Sequence, residues 1–535
     1  MGRAIDTDTS MYGYVLEGLK DVPDKTVFYF KGNKILKSRF LKDVDKFCSI
    51  LIDFGVERGS VVAVHLPNIP DAAIAFYAIN KLGAIANLIH PLMPAVTLSD
   101  MVREADAKLV ITFDGYYSRN AEKLDITCPV MICRASDYLP PLKALLYSRS
   151  EPKIEYGGKL VSYRALMSRA QPYGGAMCSR GEDCAAYMHS GGTTGTPKTI
   201  ALSNRSFNEL TESLIHVIPD YDCFKDVSLM VLPIFHGFGL GVCLHSMLSR
   251  GVESVMIPRY RTAEVLKAIG SRKVTITAGV PLMYKKMLGG GKLFKNMSGV
   301  RHMFCGGDKL TSVLKGEFDS ALSAVGNPNR LLEGYGLTEC VTVCCVNKAE
   351  DYIKGCLGYP LHGIKIAVLG EDLEFLPAGE VGEIAVSGPT LMIGYTNADM
   401  SDIFFMREGV KWLRTGDVGY IDGMGRLYYN GRLKAAEKVC GVVVYPQEIT
   451  EVVGDLPFVI ESCAVKICDN DKEYMRLYCS VDGDEEECRR AIAKHCEDKL
   501  IVYARPKEIV FVSSLPRTPV GKVDVGKLGG TRGTA

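Results

Sequence analysis

The sequence predicts an α/β protein with largely parallel sheets, then a small β-barrel-like subdomain and a small α+β unit at the C-terminal end. Three observations lead to this prediction. Short apolar runs alternate with amphipathic helical patterns from Lys25 to Cys305, which is typical of parallel sheets covered by helices. Beyond Lys354 the strands become shorter and Gly and Pro separate them, which favours an antiparallel sheet or barrel. The last ~100 residues are long enough to fold separately.

The composition excludes several classes of protein. The chain has 535 residues, of which 47% are hydrophobic, so it can bury more than one core. Its net charge of +1 gives no electrostatic footprint for nucleic acid or an anionic membrane. The 18 cysteines include no Cys-x-x-Cys pair, which favours buried thiols in a reducing compartment.

We also expect no signal peptide and no membrane span. The first residues lack an apolar core, which a signal peptide requires. The apolar segment 230–248 contains Pro233, His236 and His245, so a soluble core is the better interpretation. We therefore expect a cytoplasmic protein.

The individual elements follow from the spacing of the apolar residues. Before residue 180 the pattern predicts a helix at 70–82 and strands at 60–66, 84–89, 107–113 and 130–133. After residue 200 it predicts helices at 239–248, 262–269 and 281–288, and strands at 227–234, 254–257, 274–277 and 301–305. The predicted antiparallel strands are 364–369, 382–387, 411–413, 419–421 and 427–429.

A glycine- and threonine-rich stretch from Ser190 to Lys198 lies between two predicted buried strands. Glycine allows the backbone to approach a ligand closely, and successive N–H groups in such a turn form an anion site. Hydroxyls and a lysine ammonium add donors and positive charge. The stretch is not a Walker A loop, because Thr196 and Pro197 separate Gly195 from Lys198. A flexible linker is the alternative, but the flanking strands favour a polyphosphate site.

Three predicted strands end in polar or glycine-rich turns, at His189, His236 and Gly306. In open α/β sheets the ligand crevice lies at the carboxyl ends of the strands. We therefore expect these turns to share one pocket.

Four further strings carry residue types suited to nucleotide chemistry. Tyr335, Thr338 and Glu339 combine a ring for a base, a hydroxyl for phosphate and a carboxylate for Mg²⁺. Asp417 can accept two hydrogen bonds at once, and Lys522 on a Pro/Gly loop can stabilise a charged transition state. Each also has an ordinary structural interpretation: a core aromatic, a turn cap, a solvated lysine and, for His236, a core histidine.

Taken together, these strings resemble the motifs of the adenylate-forming (AMP-binding) enzyme superfamily, and the chain is most like the acyl-CoA synthetases. Residues 190–198 fit its phosphate-binding signature at every position, and 335–339 fit Tyr-Gly-x-Thr-Glu. The matches at 233–239, 412–417 and 516–522 follow in the family's order. The strings 379–384 and 394–395 lie where the family has a structural glycine motif.

The resemblance implies two domains and a hinge. It places the ATP and acyl sites in an N-terminal domain, 1–433, and the catalytic lysines in a mobile C-terminal domain, 434–535. Lys434 takes the hinge position, where aspartate is commoner. Lys522 would act in adenylation and Lys438 in attack by CoA, although the sequence around Lys438 departs from the common pattern.

The resemblance also implies the roles of the remaining residues. Thr338 would contact the α-phosphate, Glu339 would position Mg²⁺, Tyr335 would face adenine, and Asp417 would hold the ribose with Arg432 beside it. His236, Phe238 and Gly239 would form the wall of the substrate pocket. The remaining nucleotide-binding residues would be Ser190, Gly191, Gly192, Thr193, Thr194, Gly195, Lys198, Gly306, Gly307, Asp308 and Gly334.

The implied function is ATP-dependent conversion of a fatty or aryl carboxylic acid to acyl-AMP, followed by transfer to CoA. An acyl-AMP ligase that loads a carrier protein and a non-catalytic nucleotide-binding protein are the alternatives. An amino-acid adenylation domain is disfavoured because His236 stands where such a domain has aspartate. No arginine stands at an obvious pocket position, which makes a dicarboxylate substrate less favoured.

Overall fold

The computed structural model describes residues 6–140, 144, 151–189, 198–433, 437–439, 442–469, 472–517 and 523–528. Lys438 lies on a described strand, although its side chain is not described. The predicted site residues outside the described part are Ser190, Gly191, Gly192, Thr193, Thr194, Gly195, Lys434 and Lys522.

The α-helices follow the predicted apolar spacing. Ser203 caps one of them by accepting a hydrogen bond from the Ser206 N–H, as expected of a serine at an N-cap. The described α-helices are α1 (Met11–Leu19), α2 (Lys37–Asp53), α3 (Pro70–Lys81), α4 (Ala95–Glu104), α5 (Asp114–Asn120), α6 (Tyr163–Arg169), α7 (Asn204–Ile215), α8 (Met247–Ser249), α9 (Thr262–Arg272), α10 (Pro281–Leu288), α11 (Ser312–Ala324), α12 (Pro446–Gly454) and α13 (Glu485–Lys499).

The helix predicted at 239–248 differs from an ordinary α-helix. It is a π-helix over Phe238–Ser246 that continues into α8, and the Ser246 hydroxyl donates to the Gly241 carbonyl. Long π-helical runs are rare and occur mostly at functional sites. The described 3₁₀ segments are Ala121–Lys123, Ala135–Tyr138, Gly291–Gly299, Thr338–Cys340, Val502–Ala504 and Val525–Leu528.

The strands form two large sheets and two small ones. The described strands are β1 (Thr26–Phe30), β2 (Asn33–Leu36), β3 (Val61–His65), β4 (Ile85–Leu88), β5 (Leu109–Phe113), β6 (Val130–Cys133), β7 (Leu160–Ser162), β8 (Cys184–His189), β9 (Thr199–Ser203), β10 (Val227–Met230), β11 (Glu253–Met256), β12 (Ile276–Gly279), β13 (His302–Cys305), β14 (Leu331–Tyr335), β15 (Cys345–Val346), β16 (Cys356–Pro360), β17 (Lys365–Leu369), β18 (Gly382–Ser387), β19 (Gly394–Tyr395), β20 (Phe404–Arg407), β21 (Val410–Ile421), β22 (Leu427–Arg432), β23 (Glu437–Val439), β24 (Val442–Val444), β25 (Val459–Asp469), β26 (Lys472–Val481) and β27 (Glu508–Phe511).

The first large sheet has eight strands in the order β19-β9-β8-β4-β3-β5-β6-β7. Its pairs from β8 to β7 are parallel, whereas β8–β9 and β9–β19 are antiparallel. The glycine-rich stretch therefore connects two neighbouring antiparallel strands. Because β9 pairs with β19, the chain near residue 395 lies beside β9.

The second large sheet combines both predicted strand classes. From β11 to β14 its pairs are parallel, and from β14 through β15 and β16 to β22, β21, β18 and β17 they are antiparallel. The predicted strands 411–413 and 419–421 are one continuous strand, β21. A register shift between Val418 and Gly419 allows the strand to continue through an irregular segment.

Residues 442–517 have a sheet and a core of their own, and we call them the C-terminal unit. Strands β25 and β26 pair antiparallel, and β27 adds parallel to β26. Helices α12 and α13 contribute Ile449, Val453 and Ile492 to a core that is separate from those of the large sheets. The predicted fold class is confirmed, and the division at residues 433 and 434 stays a prediction.

The largest core lies between the two large sheets. Helix α3 is buried along its whole length between them, because its sequence is apolar on every face. No helix within the described ranges is both long and apolar enough to cross a membrane.

Asp71, in the first turn of α3, gives a test of this burial. Its side chain is fully buried, Tyr138 donates a hydrogen bond to its Oδ1 at 2.7 Å, and Oδ2 has no hydrogen-bond partner. Burial raises the pKa of Asp71 to about 8. The folded protein therefore holds a proton that the unfolded chain releases near pH 4, so this group's stabilisation is lost as the pH rises through 8.

We expect Asp71→Asn to remove this pH dependence, because the amide keeps the shape and the acceptor but cannot ionise. Between pH 5 and pH 9 the free energy of unfolding of the variant should improve by about 4 kcal/mol relative to the wild type, because linkage contributes ~1.4 kcal/mol per pH unit up to the folded pKa. Denaturant midpoints across this range would measure it. A difference that stays constant with pH would contradict the assignment.

Candidate active site

A cavity of about 1360 Å³ opens where the carboxyl ends of the parallel strands meet. His189, His236 and Gly306 all line it, so the structure brings the three predicted strand ends to one cavity. The other predicted site residues in its lining are Lys198, Phe238, Gly239, Gly307, Asp308, Gly334, Tyr335, Thr338, Glu339, Asp417 and Arg432.

One side of the cavity joins the two halves of the second large sheet. The Tyr335 hydroxyl donates to Asp417 Oδ2 at 2.7 Å, and Arg432 Nε lies 3.2 Å from Asp417 Oδ1. Asp417 and Arg432 face each other in the β21–β22 register. Burial raises the pKa of Asp417, and the Tyr335 hydrogen bond and the Arg432 charge oppose this rise. Asp417 Oδ1 is buried, and apart from its ion pair with Arg432 it accepts no hydrogen bond of ordinary geometry, so it keeps acceptor capacity for a ligand hydroxyl.

The turn that carries Asp417 is held by residues that sequence reasoning did not include in the site. Glu383 Oε2 accepts two hydrogen bonds from Arg414, at 2.7 and 2.9 Å, and its Oε1 accepts the Gly416 N–H at 3.0 Å. Thr415 Oγ1 in turn accepts the Asp417 N–H. Glu383 belongs to the 379–384 string that the resemblance placed in a structural motif, and here it fixes the turn.

Tyr395 is a second residue that the sequence analysis left out of the site. Lys198 Nζ lies 4.4 Å from the centre of the Tyr395 ring, a distance at which a cation is attracted to the ring face. The Tyr395 hydroxyl donates to Glu339 Oε1 at 2.8 Å. Tyr395 is presented here by the β9–β19 pair and so connects the predicted phosphate-binding lysine to the predicted metal-binding carboxylate.

The base of the glycine-rich stretch is fixed by a neutral histidine. His189 Nε2 lies 2.7 Å from Asn87 Oδ1, and Nδ1 lies 3.2 Å from Thr199 Oγ1. Burial lowers the pKa of His189 to about 4, so the ring is uncharged at neutral pH. Its contacts fix the ends of β8 and β9, between which residues 190–198 run.

The residues around Glu339 fit a hard divalent cation. Glu339 and Thr338 line the cavity and offer carboxylate and hydroxyl oxygens, which are ligands that Mg²⁺ prefers. No group of three or more acidic, His or Cys side chains that could hold a metal occurs within the described ranges. Glu339, with Thr338 beside it, would hold a magnesium ion, which would supply positive charge next to the phosphates of a nucleotide.

Close backbone approach shapes the wall at His236 and Phe238. A Cβ on Gly237 would lie 1.6 Å from the Val341 carbonyl oxygen, and one on Gly239 would lie 2.0 Å from the Pro233 oxygen. Only glycine fits at these two positions. The wall therefore depends on Gly239, which the resemblance assigned to the pocket, and on Gly237, which it did not.

Beyond this wall the cavity continues as an apolar arm between α7 and the π-helix. The π-helix and α8 contribute one face, at spacings of three and four residues, through Gly239, Val242, Cys243, Ser246 and Met247. The other apolar residues of the arm are Leu214, Ile215, Val217, Ile218, Val252 and Ile276.

The expectation that no arginine stands at the pocket is wrong, because Arg250 lines the cavity. Its side chain is 8% exposed, and its Nη2 pairs with Glu212 at 2.8 Å and donates to the Tyr14 hydroxyl at 3.0 Å. The spacing of the apolar residues could not show this pairing, since Tyr14 and Glu212 lie far from Arg250 in sequence. Because Glu212 already neutralises the charge of Arg250, a second substrate carboxylate remains disfavoured.

Comparison with known proteins gives the family. The family described as AMP-binding enzyme matches residues 17–396, and the AMP-binding enzyme C-terminal domain matches residues 448–522. The chain belongs to the AMP-binding enzyme family. The predicted resemblance to the adenylate-forming enzymes is confirmed.

The relatives of this AMP-binding enzyme include the long-chain-fatty-acid–CoA ligase of Bacillus subtilis (strain 168). It is 29% identical over 525 residues, which cover 94% of this chain and 90% of the relative. The 4-coumarate–CoA ligase-like 3 of Oryza sativa subsp. japonica is 28% identical over 492 residues, which cover 88% and 79%. These matches confirm the predicted enzyme class, an AMP-forming acid–CoA ligase.

Solved structures confirm the fold of this AMP-binding enzyme. ATP-bound MatB from Rhodopseudomonas palustris superposes with a TM-score of 0.82 at 23% identity and covers 97% of this chain and 98% of that one. The anthranilate CoA ligase AuaEII in complex with anthranoyl-AMP gives a TM-score of 0.83 at 22% identity, with 98% and 97% covered. The roles of the individual site residues stay predictions.

We expect Tyr395→Phe to separate the two contacts of Tyr395. The ring under Lys198 remains, whereas the hydrogen bond to Glu339 is lost, so the carboxylate should be less well positioned. Loss of a hydrogen bond to a charged group costs ~1.5–3 kcal/mol, which predicts an acid-dependent pyrophosphate release about 10- to 100-fold slower. Titration with Mg²⁺ at saturating ATP should show a weaker apparent affinity.

Tyr420→Phe is the matched control, because the Tyr420 ring stacks on Tyr428, 4.6 Å from ring centre to ring centre, and Tyr420 does not line the cavity. Equal losses in the two variants would contradict the role of Tyr395.

Proposed function

We propose that this enzyme activates a fatty acid with ATP and transfers the acyl group to CoA. The observation that carries the choice of acid is the apolar arm, which leads from the wall at His236 between two helices. Ligand pockets are usually ~300–1,000 Å³, so a cavity of about 1360 Å³ has room for a nucleotide and a long apolar group together. An aryl acid would leave most of the arm unfilled.

In the proposed first step, a carboxylate oxygen of the acid attacks the α-phosphorus of ATP. The bond from that phosphorus to the bridging oxygen breaks, and pyrophosphate leaves with the electron pair. No base is needed, because an alkyl carboxylic acid (pKa ~4–5 by analogy with side chains) is ionised at neutral pH. Catalysis of this step is therefore mainly orientation and charge stabilisation.

The residues of the cavity are suited to orient the two substrates and to stabilise the charge that develops in this step. Asp417 Oδ1 would accept from a ribose hydroxyl, Tyr335 would lie against the base, and Thr338 and Lys198 would contact phosphate oxygens. Glu339 would hold a magnesium ion, which would supply positive charge to offset that of the phosphates. Lys522 would bring a further cation to the α-phosphate.

In the proposed second step, the CoA thiol sulfur attacks the acyl carbonyl carbon. AMP leaves with the electron pair of the carbon–oxygen bond, and the thiol proton passes to solvent. Lys438 would serve this step, with the C-terminal domain (434–535) turning about Lys434. A carrier-protein thiol is the alternative acceptor.

The direct test is pyrophosphate release from ATP and Mg²⁺ over a panel of carboxylic acids, with and without CoA. We expect release to require an acid, to turn over repeatedly only with CoA and to favour long alkyl chains. Release that stalls after about one turnover despite CoA would point to a carrier protein. Absence of release with every acid would contradict the proposal.

Substitution of the two lysines should separate the two steps. We expect Lys522→Ala to slow acid-dependent pyrophosphate release by ~10³-fold or more, as expected when a charge is removed from a transition state. In Lys522→Ala, the rate of acyl transfer from synthetic acyl-AMP to CoA should stay within about threefold of the wild-type rate. Lys438→Ala should show the reverse pattern, and equal loss of both steps in either variant would contradict the assignment.

The arm can be tested by shortening it. Val242 lines the arm and is nearly buried, so Val242→Phe should fill the space that the distal part of a long acyl chain needs. We expect kcat/KM to fall ~10-fold or more for acids of twelve or more carbons and to change little for acids of four to six carbons, at ~1.4 kcal/mol per tenfold.

Leu244→Phe serves as the control for Val242→Phe, because Leu244 is fully buried on the same π-helix but does not line the cavity. If Val242→Phe lowers kcat/KM equally for short and long acids, the arm does not hold the acyl chain.

A further inference from the structure

A cluster of polar contacts joins the C-terminal unit to the second large sheet. Lys309 forms an ion pair with Glu451. Ser312 Oγ donates to Asp455 Oδ1 at 2.5 Å, and Lys354 Nζ donates to Asp455 Oδ2 at 3.2 Å. Glu451 lies on α12 and Asp455 follows its end, so one side of this helix carries both acidic groups.

The contact surfaces are complementary in charge and in helix polarity. Asp455 lies against the first turn of α11, whose N-terminal end favours a negative charge. Burial alone would raise the pKa of Asp455, but the Ser312 hydrogen bond and the Lys354 charge lower it. A third lysine, Lys285, donates to the Ile460 carbonyl at 3.0 Å. The Asp455 carboxylate therefore stabilises the contact between the C-terminal unit and α11, which we call the docked position.

Lys309 differs from the other contacts because it directly follows the turn 306–308 that lines the cavity. The next residue, Leu310, donates its N–H to Glu333 Oε1 at 2.8 Å, and Glu333 precedes Gly334 and Tyr335 on β14. The backbone next to Lys309 is therefore fixed to β14, the strand that carries the predicted nucleotide-binding residues Gly334 and Tyr335.

On the other side, the docked C-terminal unit brings Arg517 into the cavity lining. Arg517 is held by Glu461 of β25 at 2.5 Å. The contact at Lys309 therefore links the cavity turn directly to the unit that carries Arg517.

We propose that Lys309 is a positioning residue for adenylation: its ion pair with Glu451 holds the C-terminal unit at the nucleotide end of the cavity. The expected effect on pyrophosphate release rests on the proposed function, whereas the contact between the two parts of the chain does not. Lys309 acts through Glu451, and the other contacts of α12 support the same position. The position matters for the first step, because that step needs cations from both parts of the chain.

The pair is buried enough to matter energetically. The side chains of Lys309 and Glu451 are 30% and 20% exposed, and Glu451 Oε1 is buried without a hydrogen-bond partner. Removal of Lys309 would leave the Glu451 carboxylate without its ion-pair partner in the contact, which favours separation of the surfaces. The C-terminal unit has its own core, so its fold does not depend on this contact.

The test compares Lys309→Met, Glu451→Gln and their combination with the conservative Lys309→Arg. The first two variants should slow acid-dependent pyrophosphate release about 10-fold or more, and the double variant should add little because both changes remove one interaction. In Lys309→Arg, the rate of acid-dependent pyrophosphate release should lie within about threefold of the wild-type rate. Transfer from synthetic acyl-AMP to CoA should change less than threefold in every variant.

Lys348→Met is the matched control, because Lys348 is an exposed lysine stacked on Tyr359 and does not contact the C-terminal unit. It should leave both steps unchanged. Equal loss of both steps in Lys309→Met, or failure of Lys309→Arg to recover, would overturn the proposal.

Hydrogen exchange gives a readout that needs no activity. Backbone amides at 309–315 and 446–455 should exchange at least threefold faster in Lys309→Met than in wild type, with α13 and β26 unchanged. Unchanged exchange at 309–315 and 446–455 would overturn the positioning role even if the acid-activation proposal holds. A wild type that releases no pyrophosphate would instead refute the proposed function, while the exchange result still decides whether Lys309 positions the unit.

Discussion

The strand β14 is the constraint on which the rest of the site depends. It pairs parallel with β13 on one side and antiparallel with β15 on the other, so it is the point where the α/β sheet becomes an antiparallel one. Its last residue, Tyr335, reaches Asp417 of β21. The hydrogen bond between them therefore fixes the angle between two parts of the sheet that have different strand directions, and the cavity lies at that junction.

The cavity separates charge from apolar surface along its length. At one end, Asp417, Glu339, Lys198 and Arg432 lie within a lining held by paired charges and buried hydrogen bonds. At the other end, the π-helix and α7 present aliphatic side chains, and Arg250 is neutralised by Glu212. Such an arrangement suits a substrate with one charged and one apolar end. The low polarity of the arm also strengthens electrostatic interactions near its mouth.

Much of the fold follows from local sequence signals, and the site follows in part. Alternating apolar runs predicted the parallel strands, because those strands are buried on both faces. The pairing of β1 with β11 and of β9 with β19 joins residues about 200 positions apart, which no local pattern encodes. Tyr395 was missed for this reason, and the pairing of Arg250 with Tyr14 was equally invisible. The helix at 239–248 was predicted, but its π geometry was not, since apolar spacing does not distinguish the two forms.

The C-terminal unit shows why a site can need residues that touch no substrate. The unit contributes Arg517 to the cavity only while it is docked, and docking depends on a few charged contacts rather than on a shared apolar core. A few partly exposed ion pairs hold the unit less firmly than a large apolar interface would, so such a contact can form and separate without large cost. A large apolar interface would fix the unit permanently. In the proposed mechanism the two steps use Lys438 and Lys522, which flank this unit in the sequence, and a weaker attachment suits such an exchange. Lys309 places the attachment next to the turn 306–308 that lines the cavity.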